Sequence, residues 1–380
     1  MISFAAVYSS SGILAIRNGN DASYYMFKHT LYIFMGIGCI FLTQRINYKH
    51  YANIARIGFW CGIPLLLYTL FFGATVNDAS RWVRIPIIGI QFQSSDVAKL
   101  ILIMYMARIL SLMQDKISSF KDAFIPACFP IVLYCCLILP ENFSTAALIG
   151  LVCVILMFLG GIDWKQLLMV GTSGVVIIVF LFLMAVKLEL NIGRLQTWKN
   201  RIEAFSNADI DKLVGNKSSE TEVLVPYNMY NIEQADYAQI AVATAGLVGL
   251  GPGNSVQRNF LPHPYSDFIY AIIVEEYGWP GALFVLLLYL ALLYRGIKIV
   301  LNTKGKFGAL LAGGLTIMLV LQAFVHMAVN VHLFPTTGQT LPLISMGGTS
   351  ILFTAASVGI ILSVSRYNEE NAVIKKPTVA

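Results

Sequence analysis

Three carboxylates interrupt an apolar run from Tyr265 to Lys298, YSDFIYAIIVEEYGWPGALFVLLLYLALLYRGIK. Asp267 opens the run. Glu275 and Glu276 follow about 12–14 Å further in if the segment is helical at about 1.5 Å per residue. A carboxylate can take up a proton, hold a divalent cation or pair with a buried cation. At membrane depth it must pair, protonate or face a polar interior. Ser266 is a good N-cap, so Asp267 is expected in the first helical turn, where an acid gains about 0.3–1 kcal/mol from the helix dipole. Glu275 and Glu276 are expected to be structural buried acids that hold the helices together. Pro280, with Gly278 and Gly281, is expected to kink the helix just below them.

The elements that carry these acids are membrane helices. The chain is 57% hydrophobic and 12% charged over 380 residues, with a mean hydropathy of +0.71. Soluble domains carry roughly 25% charged residues, so a soluble multi-domain enzyme is excluded and an all-α polytopic membrane protein is expected. About ten spans are predicted, at 1–16, 27–43, 57–73, 96–113, 123–139, 143–160, 165–187, 267–294, 307–331 and 342–364. The first, MISFAAVYSSSGILAI, lacks the basic start of a cleavable signal peptide. The net charge of +6 comes mostly from short loops near 44–56, 108–122, 295–306 and after 365. That distribution puts both termini in the cytoplasm and gives no sign of nucleic acid. The six cysteines sit in or beside apolar segments without metal-ligand spacing and read as packing residues.

The organisation is one membrane domain over 1–380 with a large extracytoplasmic loop, 187–266, between the seventh and eighth spans. Residues 206–226 read as a flexible insertion, and 236–250 as a short helix at the membrane edge. Polar residues gather at the outer ends of spans: Arg81 and Trp82, Asp96 and Lys99, Glu141 and Asn142, Arg194 and Arg201, then Asp267 and the segment PTTGQTLPLISMGGTS (335–350). Each has a plainer reading. Arg81 and Trp82 could anchor the interface, Asp96 and Lys99 could pair at a helix end, and Arg194 and Arg201 could be solvated loop residues.

Seven motifs in order resemble the SEDS family (shape, elongation, division and sporulation), which includes FtsW and RodA. They are VYSSS (7–11), RW (81–82), FQSSDVAKL (92–100), ENFSTA (141–146), GLGPGNSVQRNFLP (249–262), SDFIYAIIVEEYGWPG (266–281) and PTTGQTLPLISMGGTS (335–350). Asn254–Ser255 is similar to the FtsW branch. The chain departs from the family pattern in QSSD (93–96) for Gln-Pro-Ser-Glu, in ENFST (141–145) for Pro-Asp-x-Gly-Thr, and in HPYSD (263–267) for Glu-His-Thr-Asp.

The resemblance implies a peptidoglycan glycosyltransferase that polymerises lipid II outside the bacterial cytoplasmic membrane, serving septal synthesis in cell division. It implies a class B penicillin-binding protein and other divisome membrane proteins as partners, with membrane lipid around the chain. The family's catalytic aspartate falls on Asp267. Substrate contacts are expected from Arg81, Trp82, Asp96, Lys99, Asn142, Arg194, Arg201, Gln257, Thr337 and Ser345. An acid in a first helical turn is a weaker base, which favours a divalent cation, Mg2+ or Mn2+, at Asp267; Mg2+ suits one or two carboxylates plus substrate phosphates. The competing functions are a lipid II flippase or other lipid transporter, a RodA-type elongation polymerase, and a scaffold that only recruits partners.

Overall fold

The computed structural model describes residues 2–17, 22–76, 79–84, 91–169, 171, 172, 174, 234–261 and 264–374. Ten α-helices lie with both ends among the described residues: α1 (Ile2–Arg17), α2 (Ala22–Arg45), α3 (Tyr48–Phe72), α4 (Ser94–Leu112), α5 (Ile125–Ile138), α6 (Phe143–Gly160), α7 (Gln234–Thr244), α8 (Ile269–Asn302), α9 (Lys306–Asn330) and α10 (Ser350–Ile374). Among the described residues seven helical segments are long and apolar enough to cross a membrane: α2, α3, α5 with the π-turn Phe120–Phe124 ahead of it, α6, α8, α9 and α10. A backbone surrounded by lipid must satisfy its own hydrogen bonds, which is why the apolar runs fold as helices. Only the start of the expected seventh span is described, as helix over 164–169. The insertion 206–226 lies outside the described residues.

Several boundaries differ from the sequence reading, among them the start of α2 at Ala22 and the end of α8 at Asn302, and three have a physical reason in the structure. Helix α3 starts at Tyr48 instead of 57. Asn47 caps it by accepting the Lys49 N–H at 3.1 Å, and Tyr51 donates its hydroxyl to Thr43 O at 2.7 Å. Capping and aromatic packing extend the helix through a polar stretch that hydropathy discounts. The expected helix 236–250 is α7, which ends at Thr244. Beyond it Gly246, Gly249, Gly251 and Gly253 have positive φ, a turn conformation that no helix continues. Helix α10 begins at Ser350 instead of 342. The apolar residues before it form a loop, with Leu343 at φ 65°.

The sequence reading expected no strands. The segment between α3 and α4 forms a small antiparallel sheet of β1 (Ala74–Val76), β2 (Ala79–Arg84) and β3 (Gln91–Gln93), in the order β1-β2-β3. Trp82 on β2 pairs with Gln93 on β3. The sheet delivers the chain directly into the first turn of α4.

The chain divides into two compact units. One comprises 1–33, 196–290 and 322–347; the other comprises 34–195, 291–321 and 348–380. The second holds the larger apolar core, where Phe59 stacks between Tyr105 (centroids 4.0 Å apart) and Tyr134 (5.1 Å). The first has a smaller core of Ala238, Ala241, Leu261, Phe268, Ala271 and Ile272. It seats α7 beneath the start of α8, with Tyr237 stacked on Phe260 at 5.5 Å.

Candidate active site

In the first unit Asp267 lies just ahead of α8. The helix begins at Ile269, not at the residue after Ser266, and the Phe268 carbonyl accepts its first i→i+4 bond from Ile272 N–H at 3.3 Å. Asp267 is therefore outside the first turn, which corrects the expectation above. Its carboxylate is half-buried, and the Ser266 hydroxyl donates to Oδ1 at 2.8 Å. Oδ2 faces Gly338, where an added Cβ would stand 3.7 Å away. Gly338 has φ 63°, a left-handed conformation that favours glycine. Thr337 precedes it in the same loop. Tyr265 lies close by; burial, then Tyr25 and Asp267, push its phenol above its usual range.

The loop 335–346 is pinned on several sides. Ser345 donates to Ser266 O at 2.7 Å and accepts the Leu341 N–H at 2.8 Å. Its one proton is thus committed to holding the backbone beside Asp267. The Met346 N–H donates to Tyr265 O at 3.0 Å, Ser3 donates to Ile344 O at 2.8 Å, and Tyr289 donates to Pro342 O. A loop anchored from α1, α8 and the 265–266 turn can hold one geometry next to a reacting group.

Glu275 and Glu276 are 0% and 1% exposed, and their partners come from the segment 249–258 and from Ser9 on α1. Glu275 accepts the hydroxyl of Ser255 and the N–H groups of Val256 (3.0 Å) and Gln257 (3.2 Å). It caps the short 3-10 turn Gln257–Asn259, so the backbone of Gln257 is tied to it. Glu276 accepts the Ser9 hydroxyl and the Ser255 N–H at 3.4 Å, with Arg258 Nη1 at 4.0 Å. Arg258 Nη1 also donates to Ser9 O and Oγ, both at 2.8 Å. Two acids from α8 thereby tie α1 to the GNSVQR segment.

Helix α8 breaks at Gly278 (φ 62°, ψ −159°). The carbonyls opened by the break are capped by Leu250 N–H to Glu275 O and Gly251 N–H to Glu276 O, each 2.9 Å. The expected kink exists, and its conformational centre is Gly278, not Pro280.

In the second unit Asp96 and Lys99 form a buried ion pair at 2.8 Å in the first turn of α4. Trp82 is half-buried on β2; Arg81 lies on the same strand. Asn142 is buried and caps α6 by accepting the Thr145 N–H at 3.1 Å. An Asp would cap equally well, so the departure from the family pattern leaves the helix start intact. Arg194 and Arg201 lie outside the described residues. Glu141, in the loop before α6, has its carboxyl pushed up to about 7 by burial. Its proton is therefore held more tightly in the folded than in the unfolded chain. Stability contributed by this group should be full below pH 4.5, fall as pH rises towards 7 and level off above. Glu141→Gln should flatten that slope in thermal unfolding measured across this window; an unchanged slope would remove Glu141 as its source.

Among the described residues no group of three His, Cys, Asp or Glu side chains is placed to hold a metal ion. The described residues therefore give a cation at Asp267 no cage of side chains, and substrate phosphates and water would have to contribute ligands.

A family model described as cell cycle protein, FtsW/RodA/SpoVE, matches residues 1–370. The chain belongs to this family. It is 31% identical over 364 residues to the probable peptidoglycan glycosyltransferase FtsW of Geobacter sulfurreducens, covering 94% of this chain and 90% of that protein. It is 30% identical over 373 residues to the stage V sporulation protein E of Bacillus subtilis, covering 97% and 94%. Its fold is similar to a chain of a peptidoglycan synthase complex of polymerisation and crosslinking, with a TM-score of 0.70 at 22% identity over 96% of each chain. It is also similar to the rod shape determining protein RodA of Thermus thermophilus, with a TM-score of 0.63 at 20% identity over 96% and 93%.

Within this FtsW/RodA/SpoVE frame, sequence reasoning missed four residues around the acids: Ser9, Ser255, Arg258 and Asn330. The first three lie inside quoted motifs, so the signal was present but their pairing was not: Ser9 meets Glu276 across 267 residues, and Ser255 meets Glu275 across 20. Asn330 lies in no motif. Its position at the end of an apolar run, four residues after His326, was the available hint.

Proposed function

We propose that this chain is a peptidoglycan glycosyltransferase that polymerises lipid II at the outer face of the cytoplasmic membrane, in septal synthesis during division. The observation that carries the reading is Asp267, a half-buried carboxylate held at the head of α8 by a pinned loop, in a chain whose relatives are named for that activity. The acceptor sugar's 4-hydroxyl gives its proton to Asp267 and attacks the anomeric carbon of the donor strand. The bond from that carbon to the undecaprenyl pyrophosphate breaks, and the pyrophosphate leaves with the bonding pair. Glycosidases need a second carboxyl to protonate an alkoxide leaving group; pyrophosphate does not. Positive charge near the departing phosphates supplies the rest, and Arg81, Lys99, Arg194 and Arg201 are the proposed sources.

Trp82, Asp96, Asn142, Gln257, Thr337 and Ser345 are proposed to shape the substrate site, with Ser345 acting through the backbone it holds. Mg2+ or Mn2+, bound to Asp267 and the substrate phosphates, would add Lewis-acid stabilisation of the leaving group. The charge of the short loops supports cytoplasmic termini and an extracytoplasmic site. A class B penicillin-binding protein is the proposed partner, since a structural neighbour comes from a polymerising and crosslinking complex. Purified protein with that partner and fluorescent lipid II should yield glycan ladders. Movement of lipid II between leaflets without polymer would favour a flippase and sink the enzyme reading.

A further inference from the structure

The first turn of α8 lacks a bond that a helix reaching back to Asp267 would make. There the Ala271 N–H would bond the Asp267 carbonyl four residues earlier. Instead the side-chain amide of Asn330 stands between them. Its Nδ2 donates to Asp267 O at 3.2 Å and its Oδ1 accepts the Ala271 N–H at 3.1 Å. The other Nδ2 hydrogen goes to His326 O at 2.8 Å. The amide orientation is fixed by its partners, because an N–H only donates and the two carbonyls only accept. Asn330 is 0% exposed.

We propose that Asn330 is a positioning residue for Asp267: its amide wedges into the first turn of α8, stops the helix from extending backwards and holds the Asp267 carboxylate off the helix towards the substrate. This rests on Asp267 being the reactive carboxylate. Two more polar side chains of α9, at four-residue spacing on the same face, support it. Gln322 Nε2 donates to Thr340 O at 2.9 Å, and His326 Nδ1 donates to Gln339 O at 2.7 Å. One helix face thus fixes both the backbone of Asp267 and the loop that brings Gly338 to Oδ2. Without Asn330, Asp267 O and Ala271 N–H satisfy each other directly. Helix α8 gains one residue, Asp267 becomes its N-cap, and the carboxylate turns back towards the free N–H groups of the first turn.

The test is Asn330→Ala, assayed with fluorescent lipid II and the transpeptidase partner and normalised to folded protein. The kcat should fall roughly ten- to a hundredfold, on the scale of a misplacement of about 1 Å, while KM stays within about twofold. A structure of the variant should show Ala271 N–H on Asp267 O. Unchanged kcat, or a loss carried by KM alone, overturns the proposal. Asn330→Ser keeps a small polar group and applies the same criteria where the alanine variant does not accumulate. In the unaltered protein, an Ala271 amide that exchanges with solvent as fast as an exposed one overturns it without any variant. Asp267→Asn separates the two readings. Activity retained there sinks the catalytic assignment; an inactive Asp267→Asn beside a fully active Asn330→Ala sinks the wedge alone.

Discussion

Asp267→Asn should abolish glycan polymerisation and leave the protein folded. Asparagine has nearly the same shape, and its amide oxygen can still accept the Ser266 hydroxyl that now bonds Oδ1 at 2.8 Å. The backbone restraints survive too, since Ser345 and Asn330 hold main-chain carbonyls and not the carboxylate. Only the capacity to take a proton, or to bind a cation strongly, is lost. Removing a positioned general base costs about 10²- to 10⁴-fold in rate. Ladders of labelled lipid II, run beside a thermal unfolding curve, read both quantities. Wild-type ladders from a folded Asp267→Asn protein would move the chemistry to another group. The helix start at Ile269 bears on the mechanism. A place in the first turn was the argument against simple proton abstraction, and Asp267 stands outside that turn.

The helical class and most spans were legible because hydropathy reports burial in lipid, and a span is an apolar run of fixed length. Boundaries failed where something other than hydropathy decides. Asn47 and Tyr51 extend α3 through polar sequence, and the residues before Ser350 are apolar but serve as a pinned loop. Asp267 was legible as an acid at a helix start, but not its exact setting. The helix cap is supplied by Asn330 from α9, and no local pattern encodes a cap contributed sixty residues away. Glu275 and Glu276 were legible as buried acids because their charge is out of place in an apolar run. Their partners were not, since Ser9, Ser255 and Arg258 are brought to them by tertiary folding alone. The small sheet was missed for a related reason: its strands are three to six residues long and too short for an alternation to stand out.

Gly278→Ala should be severely damaging, and Pro280→Ala beside it should be nearly silent. Gly278 sits at φ 62°, ψ −159°, a region that costs a residue with a Cβ about 1–3 kcal/mol. The added methyl would also meet Leu247 O at 2.5 Å, Gly249 N at 2.6 Å and Val248 C at 2.7 Å. These are backbone atoms with no rotamer to change. Gly249 faces it in turn, where a Cβ would lie 2.4 Å from Glu276 O. The two strands of backbone touch because both residues lack side chains. That contact lets Leu250 and Gly251 cap the carbonyls of Glu275 and Glu276, so forcing it apart uncaps the helix and draws Glu275 away from Ser255, Val256 and Gln257. Strain, clash and a disrupted buried network together should exceed about 4 kcal/mol, the range reached only by a few such mechanisms. The variant should fail to give monodisperse protein. Pro280 follows the break, among the first residues of the resumed helix, where no intrahelical N–H bond is required. Its replacement changes mainly the entropy of the unfolded chain, by about 0.4–1 kcal/mol. Thermal unfolding of the two variants in the same detergent decides between them: a Pro280→Ala protein damaged as badly as Gly278→Ala would mean that the proline ring, and not the glycine, sets the break that aims Glu275 and Glu276 at their partners.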